Sequence, residues 1–278
     1  MVYDFLVPLC PGSGYGSGMQ VPWRVLILLL IGFDCVAQEA SRLQTMNLTV
    51  DGIPRTALVY VPPDAGGDKK LPVVFVYHGH GGNAQGAAKS FRIDQLWPEA
   101  ISVYPQGINT PGLLHDPEGK QTGWQSMPGT VGDRDLHFFD AMVAQLEKDH
   151  PVDPKRIYCT GHSNGAIHTY LLWLSRPNVI AAVAACSGFA KFGSQLPPKP
   201  AMILGGSKDD NVKFEWQQSM IDTIIKVNGC DPAGTPWEGK GTLYASHGGT
   251  PLVTFVYPGG HGMVPEEAPL IVKFFQEH

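Results

Sequence analysis

The stretch Gly161-His162-Ser163-Asn164-Gly165 sets a serine between two glycines at the junction of two unlike segments. Before it, Arg156-Ile157-Tyr158-Cys159-Thr160 is short, apolar and partly β-branched, which reads as a strand. After it, Ala166 to Ser175 carries Ile167, Tyr170, Leu171 and Leu174 at helical spacing and reads as an amphipathic helix. A sharp strand-turn-helix needs small flanking residues because two backbone segments pass closely. It also forces the serine into a strained conformation that pushes its hydroxyl clear of the sheet. In a chain with 33 glycines the pentapeptide alone is weak, so corroboration must come from elsewhere.

It comes from downstream. Ala201-Met202-Ile203-Leu204 reads as a strand running into the turn-rich Gly205 to Val212, which offers two adjacent carboxylates, Asp209 and Asp210. Leu252 to Tyr257 reads as another strand, stopped by Pro258-Gly259-Gly260, with His261 immediately after the break. Serine, acid and histidine in that order, each in a loop after a strand, is the order a nucleophile elbow requires. A neutral hydroxyl is a poor nucleophile, so the imidazole must take its proton during attack and return it to a leaving alcohol. The carboxylate fixes the tautomer and stabilises the imidazolium. The residues alone leave Asp209 and Asp210 both open as that carboxylate.

A fourth part precedes the elbow. His78-Gly79-His80-Gly81-Gly82 follows the strand-like Val73 to Tyr77, and its glycines let backbone N–H groups face a substrate. The expected oxyanion donors are the amides of His80 and Asn164, of a kind typically worth about 3–4 kcal/mol of transition-state stabilisation.

With these residues in view, the chain resembles the secreted esterases of carbohydrate esterase family one and the polyhydroxybutyrate depolymerase-like proteins. The resemblance runs from about Arg55 to the C-terminus. It is carried by His78-Gly79-His80-Gly81-Gly82-Asn83, Tyr104-Pro105-Gln106-Gly107, Gly123-Trp124, Val152-Asp153-Pro154-Lys155-Arg156-Ile157-Tyr158, the elbow, Asn228-Gly229-Cys230 and Gly259-Gly260-His261-Gly262. It implies an α/β-hydrolase fold and a serine ester hydrolase. It also selects Asp209 as the acid, because the family's Gly-x-x-Asp-x-x-Val pattern fits Gly206, Asp209 and Val212. Two departures stand out. Met263 occupies the place where the family often has a tryptophan, two residues after the histidine. Many relatives pair the cysteine of Asn-Gly-Cys with another shortly before the histidine strand, whereas Tyr244 to Gly248 here contains none.

The resemblance implies either hydroxycinnamoyl esters or 3-hydroxybutyrate polyesters as substrate. The chain ends at His278, soon after its final helix-like segment, which favours a small soluble ester over a solid polymer. Trp124, in a glycine-rich loop, is expected either as core filling or as an aromatic wall for a planar acyl group. The expected substrates are therefore feruloyl-type or short-chain aryl esters, with hydroxybutyrate oligomers as runner-up. A catalytically silent binding module is the rival of another class.

Composition agrees with a single catalytic domain over 38–278. The hydrophobic fraction of 43% is enough for a large core, and a formal net charge of -5 with no basic run gives no case for nucleic acid. No cofactor is expected. No metal is expected either, since His78, His80 and His162 lie on no recognisable zinc scaffold. In the N-terminal segment, residues 1–37, Arg24 precedes the apolar Val25 to Phe33, and Cys35-Val36-Ala37 suits signal-peptidase cleavage before Gln38. Met19 would give the more compact leader. The apolar run is short of the roughly 20 residues a bilayer span needs, so a secreted (extracellular or periplasmic), monomeric enzyme without a stable membrane anchor is expected. Cleavage would leave Cys159, Cys186 and Cys230, of which the first two read as buried packing residues.

Alternating strand-like and helix-like segments argue for a mostly parallel eight-stranded sheet with helices on both faces. The strands are expected at Thr45 to Val50, Arg55 to Val61, Val73 to Tyr77, Ile101 to Tyr104, Ile157 to Thr160, Ala181 to Ala185, Ala201 to Leu204 and Leu252 to Tyr257. Ile108 to Thr130 lacks periodicity and reads as a long loop at the rim of the site. Trp97, Trp173 and Trp216 read as packing residues of helices, and Asp135 as a helix-start dipole partner.

Overall fold

The computed structural model describes residues 42–63, 65 and 69–278; the expected leader and the alternative start at Met19 lie outside them. The chain enters through a hairpin, β1 (Gln44–Val50) and β2 (Ile53–Tyr60), turning at Asp51 and Gly52, whose φ angles of 52° and 76° both lie in the left-handed region that such two-residue turns demand. β3 (Leu71–Tyr77) follows, and every residue of it is buried. That is the mark of a strand covered on both faces, which also explains its unbroken apolar sequence.

Asn83 then starts α1 (Ala84–Phe91), its side chain accepting from the Gly86 amide at 2.7 Å, and Arg92 ends the helix in the left-handed region with φ 48°. A single turn, α2 (Ile93–Leu96), leads to β4 (Ile101–Pro105). The segment expected as a long rim loop is stapled by a two-strand ribbon, β5 (Ile108–Asn109) and β6 (Thr122–Gly123). Next come α3 (Arg134–Asp149), β7 (Val152–His162), α4 (Asn164–Ser175), β8 (Ala182–Cys186), β9 (Ala201–Gly206) and α5 (Phe214–Val227). The chain closes with β10 (Thr235–Trp237), β11 (Gly241–Tyr244), β12 (Leu252–Tyr257) and α6 (Glu267–Gln276).

In space the main sheet runs β1-β2-β4-β3-β7-β8-β9-β12-β11-β10. The six inner strands from β4 to β12 are parallel, and the outer pairs are antiparallel. All eight expected strands are present. Among the described residues the main sheet holds ten, because β10 and β11 extend it beyond β12.

Alternation along β3 divides the core. Val73, Phe75 and Tyr77 join the face covered by α3, α4 and α5, while Val74 and Val76 join the face covered by α1 and α6. Phe75 meets Phe139 edge-on at 4.9 Å on one side, and Tyr158 stacks on Phe275 at 4.8 Å on the other. Each such buried ring contributes about 1.5–3 kcal/mol of apolar burial. Asp135 does more than face a helix dipole. It is fully buried against Arg55 at 2.8 Å, with the guanidinium 4.1 Å over the Phe138 ring, and so fastens α3 to β2.

α4 differs from its expected amphipathic character, with ten of its twelve residues, Asn164 through Trp173, buried. The helix that leaves the elbow is enclosed on all sides, so no polar face is needed. Cys159, Cys186 and Cys230 are buried free thiols. Cys230 faces Ser246 across an isolated antiparallel bridge, so a hydroxyl stands within the segment that holds the second cysteine in the resembling family.

Candidate active site

The elbow has the strain its sequence predicts. Ser163 sits at φ 56° and ψ -118°, outside the regions a non-glycine residue ordinarily adopts. Its amide donates to the Cys186 carbonyl oxygen at 2.9 Å, which helps to lock the turn. The flanking glycines are obligatory by distance. A Cβ on Gly165 would lie 2.2 Å from the Tyr77 carbonyl oxygen, and one on Gly161 would lie 2.6 Å from the Gly165 carbonyl carbon. No side chain fits there, and the hydroxyl stands out at the C-terminal end of the parallel strands.

The loops after β9 and β12 bring the other two groups to it. His261 Nε2 lies 2.9 Å from Ser163 Oγ, and His261 Nδ1 lies 2.8 Å from Asp209 Oδ2. The Asp209 side chain is fully buried and that of His261 is 21% exposed, so the acid is shielded while the imidazole reaches the cleft. Asp209 Oδ1 accepts from the amides of Asn211 and Val212, both at 3.0 Å, and Oδ2 also accepts from Gln217 Nε2 at 2.9 Å. Asp210 is exposed and takes no part in the relay. Of the two carboxylates left open by the residues alone, geometry therefore joins Asp209 to His261.

The glycine-rich turn after β3 packs directly on the elbow, since a Cβ on Gly79 would meet Ser163 Cβ at 3.4 Å. The amides of Gly81 and Gly82 donate to the Thr122 and Gly79 carbonyl oxygens, whereas those of His80 and Asn164 make no such bond among the described residues. Both residues line the cavity at Ser163. Two neutral histidines brace this region. His78 accepts the Gly107 amide on Nε2 at 2.9 Å and donates from Nδ1 to the Gly79 carbonyl oxygen at 2.7 Å, and burial lowers its pKa. His162 donates from Nε2 to the His261 carbonyl oxygen at 2.7 Å, and burial pushes its pKa down to about 4. The His162 ring lies 4.7 Å from that of His261 and so supports the histidine loop from beneath. No cluster of metal-ligating side chains occurs among the described residues.

Trp124 requires a correction. Its ring is fully buried, stacks on His168 at 5.5 Å, meets Tyr77 at 5.0 Å and donates from Nε1 to the His78 carbonyl oxygen at 2.9 Å. It stands behind the glycine-rich turn as a prop and is absent from the wall of the cavity at Ser163. The Asn164 side chain clamps its backbone from both sides, accepting the Trp124 amide at 2.7 Å and donating to its carbonyl oxygen at 3.0 Å.

The aromatic surface of a cavity is supplied instead by half-buried Trp216, whose expected role is packing. Phe189 and Trp216, with ring centroids 5.0 Å apart, line a cavity of about 520 Å³ together with Leu113, Leu114, Lys191 and Met220. The cavity at Ser163 itself is about 30 Å³ and shares Leu113 and Leu114 with the larger one. The intervening strap is anchored immediately after Leu114, by His115 Nε2 to Asn211 Oδ1 at 2.6 Å and by Asp116 Oδ2 to His80 Nε2 at 3.0 Å. Sequence reasoning had no signal for Leu113 and Leu114, which lie in an aperiodic segment.

Comparison with known proteins gives the family and the fold. A family profile described as esterase PHB depolymerase matches residues 56–233. A probable feruloyl esterase C of Aspergillus clavatus is 31% identical over 69% of this chain and 70% of its own length. Feruloyl esterase C of Emericella nidulans is 28% identical over 76% of this chain and 77% of its own. Among solved structures, an acetyl xylan esterase from Aspergillus awamori superposes with a TM-score of 0.63 at 15% identity, covering 84% of this chain and all of that one. A family-one ferulic acid esterase from Anaeromyces mucronatus, in complex with ferulic acid, gives 0.59 at 15% identity, covering 84% of this chain and 89% of that one. Both structural likenesses establish the α/β-hydrolase fold.

Proposed function

The chain belongs to the PHB depolymerase esterase family and is a carboxylic ester hydrolase, and from that premise we propose that it works through an acyl-enzyme on Ser163. The observation that carries this reading is the relay from Ser163 Oγ through His261 to Asp209, at 2.9 and 2.8 Å, on a strained elbow. In the reaction His261 Nε2 removes the hydroxyl proton as Oγ attacks the ester carbonyl carbon. The carbonyl oxygen becomes an oxyanion held by the amides of His80 and Asn164. The imidazolium, stabilised by Asp209, returns the proton to the leaving alcohol as the tetrahedral intermediate collapses. Water then repeats the sequence on the acyl-enzyme and releases the acid.

The acyl group we assign is of the feruloyl or short-chain aryl type. Two supports are independent of each other: the feruloyl esterases among the relatives, and the Phe189–Trp216 cavity beside Ser163. The cavity at the serine is too small for a planar aryl acyl chain, since drug-sized ligands occupy roughly 300–1,000 Å³. The adjoining one has that capacity, and the aryl group reaches it past Leu113 and Leu114. A 3-hydroxybutyrate oligomer is the second reading, favoured by the description of the family that matches residues 56–233. We also infer secretion, resting on the leader-like residues 1–37; no described helix is long and apolar enough to cross a membrane. Comparing kcat/KM on methyl ferulate with that on a 3-hydroxybutyrate trimer tests the substrate. A clear preference for the trimer overturns the aryl assignment. Retained hydrolysis of a p-nitrophenyl acyl ester by Ser163→Ala overturns the mechanism.

A further inference from the structure

The carboxylate of Asp209 is held from two directions of unequal kind. The amides of Asn211 and Val212 belong to its own loop and move with it. Gln217 does not. It lies in the first turn of α5, is fully buried, and donates from Nε2 both to Asp209 Oδ2 at 2.9 Å and to the Val212 carbonyl oxygen at 2.8 Å. It is thus an anchor outside the loop that shares with His261 the oxygen the relay uses.

The orientation of its amide is determined by chemistry. Asp209 Oδ2 and the Val212 carbonyl oxygen are both acceptors, so the nitrogen must face them. The amide oxygen is thereby turned toward β9, where it is buried without a hydrogen-bond donor. A side chain chosen only to fill this space has no reason to carry that oxygen, because an unpaired buried acceptor is destabilising. Room for it exists only because residue 205 is glycine: a Cβ there would lie 2.0 Å from Gln217 Oε1. A stability cost is accepted at one end of the amide, and a hydrogen bond to the catalytic carboxylate is gained at the other.

From this arrangement we infer that Gln217 is a positioning residue for the relay, seated by Gly205, that fixes Asp209 Oδ2 against His261 Nδ1. The inference rests on the Ser163–His261–Asp209 reading. Without the amide, Oδ2 loses its anchor to α5, the imidazole is less well aimed at Ser163 Oγ, and turnover falls while substrate binding does not. The negative charge of Oδ2 is then drawn by His261 alone, which favours the imidazolium and moves the acid limb of the rate profile to higher pH.

The test uses Gln217→Met, which keeps length and volume and removes the donor, and Gly205→Ala, which displaces the donor without altering it. Each variant is expected to keep its fold by circular dichroism and to lower kcat about tenfold with KM nearly unchanged, an effect confined to the transition state. The acid limb should move to higher pH. The two changes act through one contact, so Gly205→Ala should have no further effect in a Gln217→Ala background. A readout independent of turnover is the low-field proton signal of His261 Nδ1–H, recorded in the Ser163→Ala protein with and without Gln217→Met. It is expected to move. Retained turnover in Ser163→Ala would sink the proposed function, whereas an unmoved proton signal or an unmoved acid limb in folded Gln217→Met would overturn the role of Gln217 and leave the relay standing.

Discussion

The two halves of the cleft are built by opposite means. Around Ser163 the chain is locked: Gly161 and Gly165 admit no Cβ, the Asp209 carboxylate accepts four hydrogen bonds, and His78 and His162 tie neighbouring loops to each other. On the side of Leu113 and Leu114, the strap is anchored through side chains, including the exposed His115–Asn211 contact, and the cavity behind it is lined by half-buried rings. Chemistry needs reacting atoms fixed to a fraction of an ångström, while recognition needs a surface of suitable shape. Substitutions in the first half should therefore cost orders of magnitude, and those in the second a few-fold.

The largest effects test the locked half. Ser163→Ala and His261→Ala should each lower turnover by about 10⁴-fold or more, and the double variant should be no worse, because the groups act as one unit. Steady-state rates on a p-nitrophenyl ester check this, and additive losses would break it. Asp209→Asn should lower kcat by about 10³ to 10⁴-fold by favouring the wrong histidine tautomer, whereas Asp210→Asn should stay within about threefold. The reverse outcome would move the acid by one residue.

Two stability measurements sharpen the contrast. Gly165→Ala must push a methyl group into the Tyr77 carbonyl oxygen and should cost about 2–3 kcal/mol in denaturant titrations, while Gly262→Ala, where a Cβ meets nothing within 4 Å, should stay within about 0.5 kcal/mol. Equal losses would mean that the elbow is not the tight point. The second concerns His162 and His168, whose pKa values burial depresses to about 4. The unfolded chain binds protons on these groups near the usual ~6.5, so the stability they contribute is present above that pH. It should be lost as pH falls toward 4, on the order of 5 kcal/mol for the pair. A denaturation midpoint that stayed flat from pH 7 to pH 4 would contradict their burial as neutral rings.

The smallest effect belongs to the open half. Trp216→Ala should lower kcat/KM on methyl ferulate about fivefold relative to its effect on methyl acetate, corresponding to about 1 kcal/mol of ring stacking. An equal loss on both esters would make Trp216 a packing residue after all.

The same division explains what the sequence made legible. Ser163, the Asp209-Asp210 pair and His261 are polar residues at the ends of apolar runs, and their order along the chain survives any error in strand boundaries; the choice between the two carboxylates comes only from the family resemblance. The hairpin at Asp51-Gly52 and the six inner strands were readable for the same local reason. β10 and β11 were not. Thr235-Pro236-Trp237 contains a proline, Gly241 to Tyr244 spans only four residues, and both are strands through pairing outward from β12 rather than through their own pattern. The two tryptophans exchanged roles because helical spacing and glycine-rich context say nothing about where a segment lies against the rest. The loop with Trp124 folds back behind the glycine-rich turn after β3, whereas the helix with Trp216 borders the cleft.

In the proposed mechanism Ser163 is the nucleophile that His261 activates. Incubation with an alkyl fluorophosphonate followed by peptide mass spectrometry tests it most directly. A single stoichiometric adduct on the peptide containing Ser163 is expected, absent in Ser163→Ala and formed far more slowly in His261→Ala. An adduct on another residue, or unimpaired ester hydrolysis by the fully labelled protein, would contradict the account.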